Sequence, residues 1–194
     1  MENYDLIKKL REATGVSLME CKNSLEEMGG DFNKAFELLR KKGIAKAEKK
    51  AERTAGVGRI EAYVHAGNRV GVLLDLRCET DFVAKNDVFA ELAHELAMQI
   101  AALSPRYVNS DEVPADVIAT ERAIFEASMA DQKKPKEMLD KIIDGKLAKR
   151  FEEMCLLDQP FIKDQNVKVR DVIKNYISKL GENIVVARFT RFEA

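Results

Sequence analysis

Near residue 56 the spacing of apolar residues changes from a helical period to strict alternation, and this change divides the chain. Beyond it, Ile60, Ala62 and Val64 fall on one side of an extended segment, and Arg59, Glu61, Tyr63 and His65 on the other. Ala66-Gly67-Asn68 supplies a hairpin turn, after which Val70, Val72, Leu74 and Leu76 share one face of a second strand. The segment Ile184–Phe192 is rich in β-branched and aromatic residues and predicts a third strand. A strand from the far terminus that closes a small antiparallel sheet makes residues 56–194 one α+β core domain.

Before the change, residues 1–43 read as a three-helix bundle. Helix one runs near Asp5–Ala13, with Leu6, Ile7 and Leu10 on one face and Gly15 as its stop. Helix two opens on Ser17-Leu18-Met19-Glu20, a capping box, and its stripe is Leu18, Cys21, Leu25 and Met28. Asp31 caps helix three, whose stripe of Phe32, Ala35, Phe36 and Leu39 is closed by Gly43. Residues 44–55 predict a charged, solvated helical connector. Between the strands, Phe89, Leu92, Ala93, Leu96 and Ile100 mark a long buried helix ending at Ser104-Pro105. Further helices are expected after Pro114 (Val117, Ile118, Ile124 and Phe125 inside), from Pro135, around Leu147–Met154, and from Val172 to a stop at Gly181.

Composition narrows the function classes. Of 194 residues, 46% are apolar and 34% charged, with a net charge of −1, which sets aside a dedicated nucleic-acid binder. The longest apolar run is a strand's length, so no membrane span is expected. The first residues lack the pattern of a secretory signal. Cys21, Cys78 and Cys155 are an odd, scattered set that suits neither a disulfide framework nor a zinc site, and a reducing cytosol fits best. The acidic cluster Asp75, Glu79, Asp81 and Asp87 lacks the spacing and turn glycine of a calcium loop. No phosphate-binding glycine loop is present, so no cofactor or metal is expected.

Two segments stand out. In TGVSLM, Val16 and Met19 are apolar residues at a turn and helix start, and Met19 lies roughly 100° from Leu18 around the helix. They form either a contact patch or the rim of the bundle. In CETDFVAKNDVF, Thr80 can cap one short turn and Asn86 or Asp87 a second, which would leave Phe82 on a protruding corner. The alternative is a continuous helix on which Phe82 and Phe89, seven apart, share a core stripe. Cys78 with His94 as a thiol enzyme, and a plain protein-tethering adaptor, remain rival function classes.

TGVSLMECKNSL with GGDFNKAFELLRKKG resembles the ubiquitin-associated-like N-terminal module of the bacterial elongation factor Ts family. KKAERTAGVG, ETDFVAKNDVF, Gln159-Pro160-Phe161 and the closing RFTRFE recur in that family in the same order, over essentially the whole chain. Ser17 and Glu20 depart from the commoner residues, and both still suit a helix start. The length resembles the short form of the family. The resemblance implies a non-enzymatic guanine nucleotide exchange factor for elongation factor Tu, cytoplasmic and able to pair as a homodimer, with no direct nucleic-acid or membrane contact. Thr80, Asp81, Phe82 and Val83 would then be the wedge that disturbs the partner's Mg2+ and phosphate sites. Val16, Leu18 and Met19 would lie on a helix of the partner's nucleotide domain.

Overall fold

The computed structural model describes residues 2–129 and 135–194. Three helices come first: α1 (Glu2–Thr14), α2 (Leu18–Glu27) and α3 (Phe32–Glu48). Gly15, at φ 70°, closes α1 by donating from its N–H to the Arg11 carbonyl at 2.7 Å. Ser17 caps α2, its hydroxyl accepting from the Glu20 N–H at 3.3 Å. The expected capping box is only half formed. The Glu20 carboxylate takes the Ser17 hydroxyl (3.2 Å) and the Lys46 ammonium of α3 instead of the cap backbone. Asp31 caps α3 through the Lys34 N–H at 3.0 Å. Leu10, Cys21, Leu25, Ala35 and Leu39 form the buried centre of the bundle, with Leu6, Ile7, Val16, Met28, Phe32 and Phe36 around it.

Two expectations about α3 are corrected. Gly43 does not end the helix, which continues to Glu48. The glycine instead sits where α3 meets α8 (Val169–Leu180), and a Cβ there would stand 3.0 Å from Ser178 Oγ. The following turn is not solvated all round, because Ala47 is buried in the main core. Lys174 of α8 pairs with Glu48 at 2.8 Å, and Lys50 donates to the Gly181 carbonyl at 2.6 Å. The chain therefore leaves the bundle strapped to α8 along its length.

The main sheet orders β1 (Val57–Val64), β2 (Val70–Cys78) and β5 (Val185–Glu193), antiparallel throughout, as the alternation predicted. Its inner face, carrying Val72, Leu74, Leu76 and Val186, packs on α5 (Asp87–Leu103) and α8. Phe89, Leu92, Ala93, Leu96 and Ile100 of α5 are all fully buried. A second antiparallel ladder joins β3 (Pro160–Phe161) to β4 (Asp164–Lys168). Buried Gln99 fixes it by donating to Gln159 Oε1 (3.1 Å) and the Pro160 carbonyl (3.1 Å) and accepting from the Ile162 N–H (2.8 Å). That network gives Gln159-Pro160-Phe161 a structural job.

Two more helices, α6 (Ala115–Ala127) and α7 (Lys136–Met154), pack on each other. The residues expected as two helices beyond Pro135 form one, which passes Gly145 without a break. In α6 no residue is fully buried and Ile124 is exposed, contrary to the pattern reading. A helix covered on one side by a single partner leaves part of its apolar arc bare.

Candidate partner-binding surface

The segment between β2 and α5 breaks into two pieces. The helix α4 (Asp81–Ala84) is a single turn, and α5 restarts after Asn86, whose Oδ1 accepts from the Val88 N–H at 2.8 Å. This break settles the ambiguity of Phe82 and Phe89. Phe89 points into the core at 0% exposure, whereas Phe82 stands 88% exposed. Asp81 beside it is exposed too, its carboxylate 3.8 Å from the Lys85 ammonium. Val83 and Ala84 turn inward and anchor the corner in the core. A bare aromatic ring beside an exposed carboxylate, on a corner anchored in the core, has the form of an anchor for a partner's pocket.

Thr80 precedes α4 with an extended backbone but makes no side-chain cap. Its hydroxyl is committed elsewhere: it donates to Glu182 Oε1 at 2.6 Å. Glu182 Oε2 accepts from the Glu79 N–H (3.1 Å) and the Thr80 N–H (3.0 Å). Sequence reasoning missed Glu182, which lies 102 positions away from Thr80 and belongs to no local motif.

At the start of α2, Met19 is 64% and Leu18 42% exposed, with Val16 half-buried at the bundle's edge. Leu18 was expected in the buried stripe with Cys21 and Leu25, and it is not. It sits roughly 70° around the helix from the centre of the arc that faces the core. Leu18 and Met19 are thus exposed apolar side chains at the start of α2, and Val16 packs against the edge of the bundle core.

A third surface was not foreseen. The outer face of the main sheet is uncovered and carries exposed Ile60, Val64, Leu73 and Phe192. Ala62 pairs with Leu73, and Gly71 pairs with both Val64 and Phe192, so these side chains are neighbours. Asp75 lies among them under Arg77 (3.0 Å) and Arg188 (3.3 Å). The Arg77 hydrogen bond first, and then Arg188, hold its carboxyl below the ordinary range.

The thiol reading loses its nucleophile. Cys78 is fully buried, its Sγ donates to the Thr80 carbonyl at 3.3 Å, and burial pushes its pKa up. Burial does the same to Cys21, and it raises Cys155 to about 11. All three thiols are buried and free, so Cys155 offers no exposed sulfur to a dimer seam. His94 is engaged by Glu61 Oε1 at 3.1 Å and by the edge of Tyr63. Among the described residues no group of His, Cys, Asp and Glu is placed to hold a metal, and no helix is long and apolar enough to cross a membrane.

The sequence model of the family "Elongation factor TS" matches residues 22–194. The chain is 56% identical over 191 residues to an elongation factor Ts of Thermotoga petrophila, covering 98% of this chain and 95% of that one. To the elongation factor Ts of Anaeromyxobacter sp. it is 53% identical over 190 residues, covering 98% and 87%. To that of Thermodesulfovibrio yellowstonii it is 51% identical over 188 residues, covering 97% and 94%. The chain belongs to the elongation factor Ts family. By that membership it is a translation elongation factor.

Proposed function

We propose that the chain promotes GDP release from the GTPase elongation factor Tu during polypeptide elongation, acting in the cytoplasm by binding and not by covalent chemistry. One observation carries this reading: in a member of the elongation factor Ts family, Phe82 stands almost wholly exposed beside Asp81 on a braced corner. A GTPase grips its nucleotide through Mg2+, a phosphate-binding loop and a lysine. The Phe82 ring occupies space between helices of the partner's nucleotide domain, and Asp81 adds negative charge near the Mg2+ site. Val83 acts from inside, holding the corner in place. Thr80 fixes the start of the turn.

Catalysis here is linkage. A factor that binds the nucleotide-free partner more tightly than the GDP-bound partner weakens GDP by the same factor. Val16, Leu18 and Met19, at the tip of a proposed docking module of residues 1–43, add a second contact on the nucleotide domain. Neither a cofactor nor direct contact with nucleic acid or membrane is required. The apolar outer face of the sheet supports a homodimer in which two copies cover each other's Ile60, Leu73 and Phe192.

Titration calorimetry tests the linkage. The factor by which GDP weakens binding of this chain to elongation factor Tu must equal the factor by which the chain weakens GDP. Equal affinity for the GDP-bound and nucleotide-free forms would rule the reading out.

A further inference from the structure

The exposed ring does not hold its own position. The helix beneath it is a single turn of four residues, too short to be stable alone. Its first residue has no cap from Thr80. What fixes the approach to the turn comes from the other end of the chain, where Gly181, at φ 79°, stops α8 and releases Glu182 and Asn183 into a tight turn before β5.

Glu182 accepts three hydrogen bonds from the corner: the Glu79 N–H, the Thr80 N–H and the Thr80 hydroxyl, at 3.1, 3.0 and 2.6 Å. A carboxylate accepting from backbone amides makes the stronger kind of hydrogen bond. The contact is reciprocal, because Glu79 Oε1 accepts from the Asn183 N–H at 2.6 Å. Asn183 is buried, and its side-chain amide donates to the carbonyls of Ala51 (3.2 Å) and Arg53 (2.8 Å). Arg53 in turn lies 3.7 Å from Glu79. One two-residue turn therefore grips both the corner that presents Phe82 and the end of the segment leading from the N-terminal bundle.

We propose that Glu182 is a positioning residue for exchange: it holds the Glu79–Thr80 backbone so that Phe82 and Asp81 meet the partner already ordered, while Asn183 sets that corner in register with the N-terminal bundle. This rests on the reading of Phe82 given above. A preordered corner avoids the conformational entropy of fixing its backbone on binding. Partial release of Glu79 and Thr80 costs the complex about tenfold in affinity, equal to the ordering cost of about one residue.

The test is a cycle of variants read by release of labelled GDP from elongation factor Tu at subsaturating factor, together with amide hydrogen exchange of the free chain. Glu182→Ala is expected to slow GDP release about tenfold and to speed amide exchange at Glu79 and Thr80. Glu182→Gln recovers most of the rate, since its carbonyl oxygen still accepts from the two amides. Glu182→Asp, which keeps the charge but withdraws the reach, does not recover it and serves where the alanine variant folds poorly. In a Phe82→Ala background, Glu182→Ala adds less than about twofold, because the ring it positions is gone. An equal loss in both backgrounds, or a Glu182→Ala factor with normal exchange and normal Thr80 amide protection, overturns the proposal. If Phe82→Ala alone leaves exchange untouched, the reading of the ring fails, and a role for Glu182 in exchange fails with it.

Discussion

Phe82 and Phe89 stand seven residues apart, and truncating each to alanine should give opposite results. A fully covered phenylalanine buries about 200 Å2. With 88% of Phe82 exposed, about 175 Å2 of it is free for a partner to cover, and at about 25 cal/mol per Å2 that sets a ceiling of about 4 kcal/mol. Ordering and imperfect packing at an interface bring a central aromatic down to about 2 kcal/mol, or roughly thirtyfold in Kd. Phe82→Ala should change fold stability by no more than about 0.5 kcal/mol, as for other surface sites. Phe89, at 0% exposure under the sheet, behaves in reverse. Its truncation should cost about 3–5 kcal/mol and on the order of 10 °C in Tm. Thermal melting of both variants, with calorimetric Kd values for nucleotide-free elongation factor Tu, separates the two roles. A Phe82→Ala chain that melts several degrees lower yet binds with unchanged Kd would refute the placement of this ring outside the core.

Joint replacement of Leu18 and Met19 by alanine should weaken binding to elongation factor Tu about tenfold in Kd, with little change in Tm, because both residues are exposed at the bundle's tip. Gly58→Ala should destabilise the fold by about 1–3 kcal/mol, read by denaturant melts, since its Cβ would press on the Leu76 carbonyl across the β1–β2 pair. Asp75 titrates below its ordinary value of 3.8, so its pairing with Arg77 stabilises the fold above that pH and is lost as pH falls below it. The Tm gap between the natural chain and Asp75→Asn should therefore be present at neutral pH and close in acid. Ile60→Lys combined with Leu73→Lys should leave a folded chain whose mass by light scattering is that of a monomer, against a dimer for the natural chain; a dimer in both cases would remove the sheet face as the seam.

Much of the architecture was legible because it is written locally. Ser17 and Asp31 cap helices through their own side chains, Gly15 and Gly181 stop them at positive φ, and the alternation from Ile60 to Leu76 marks two strands and sorts their residues into two faces. Gly43 misled because a glycine inside a helix looks like a stop unless the packing around it is known. Gly43 admits the close approach of Ser178. The placement of Phe82 was undecided because a spacing of seven fits a continuous helix as well as two short ones. The Asn86 cap is local, but the inward turn of Val83 that leaves Phe82 outside depends on tertiary packing. Glu182 was out of reach of any sequence pattern, since its three donors lie more than 100 positions upstream. The apolar outer face of the sheet was visible as alternation, but alternation does not say which side is covered.

A chain of this kind should open its partner's nucleotide site by binding alone. Stopped-flow release of fluorescent GDP from elongation factor Tu, with and without the full chain, tests it most directly. Release should accelerate with factor concentration, persist in Cys78→Ala and fall in Phe82→Ala. Release at the intrinsic rate over the whole concentration range, in a mixture where the two proteins demonstrably bind, would contradict it.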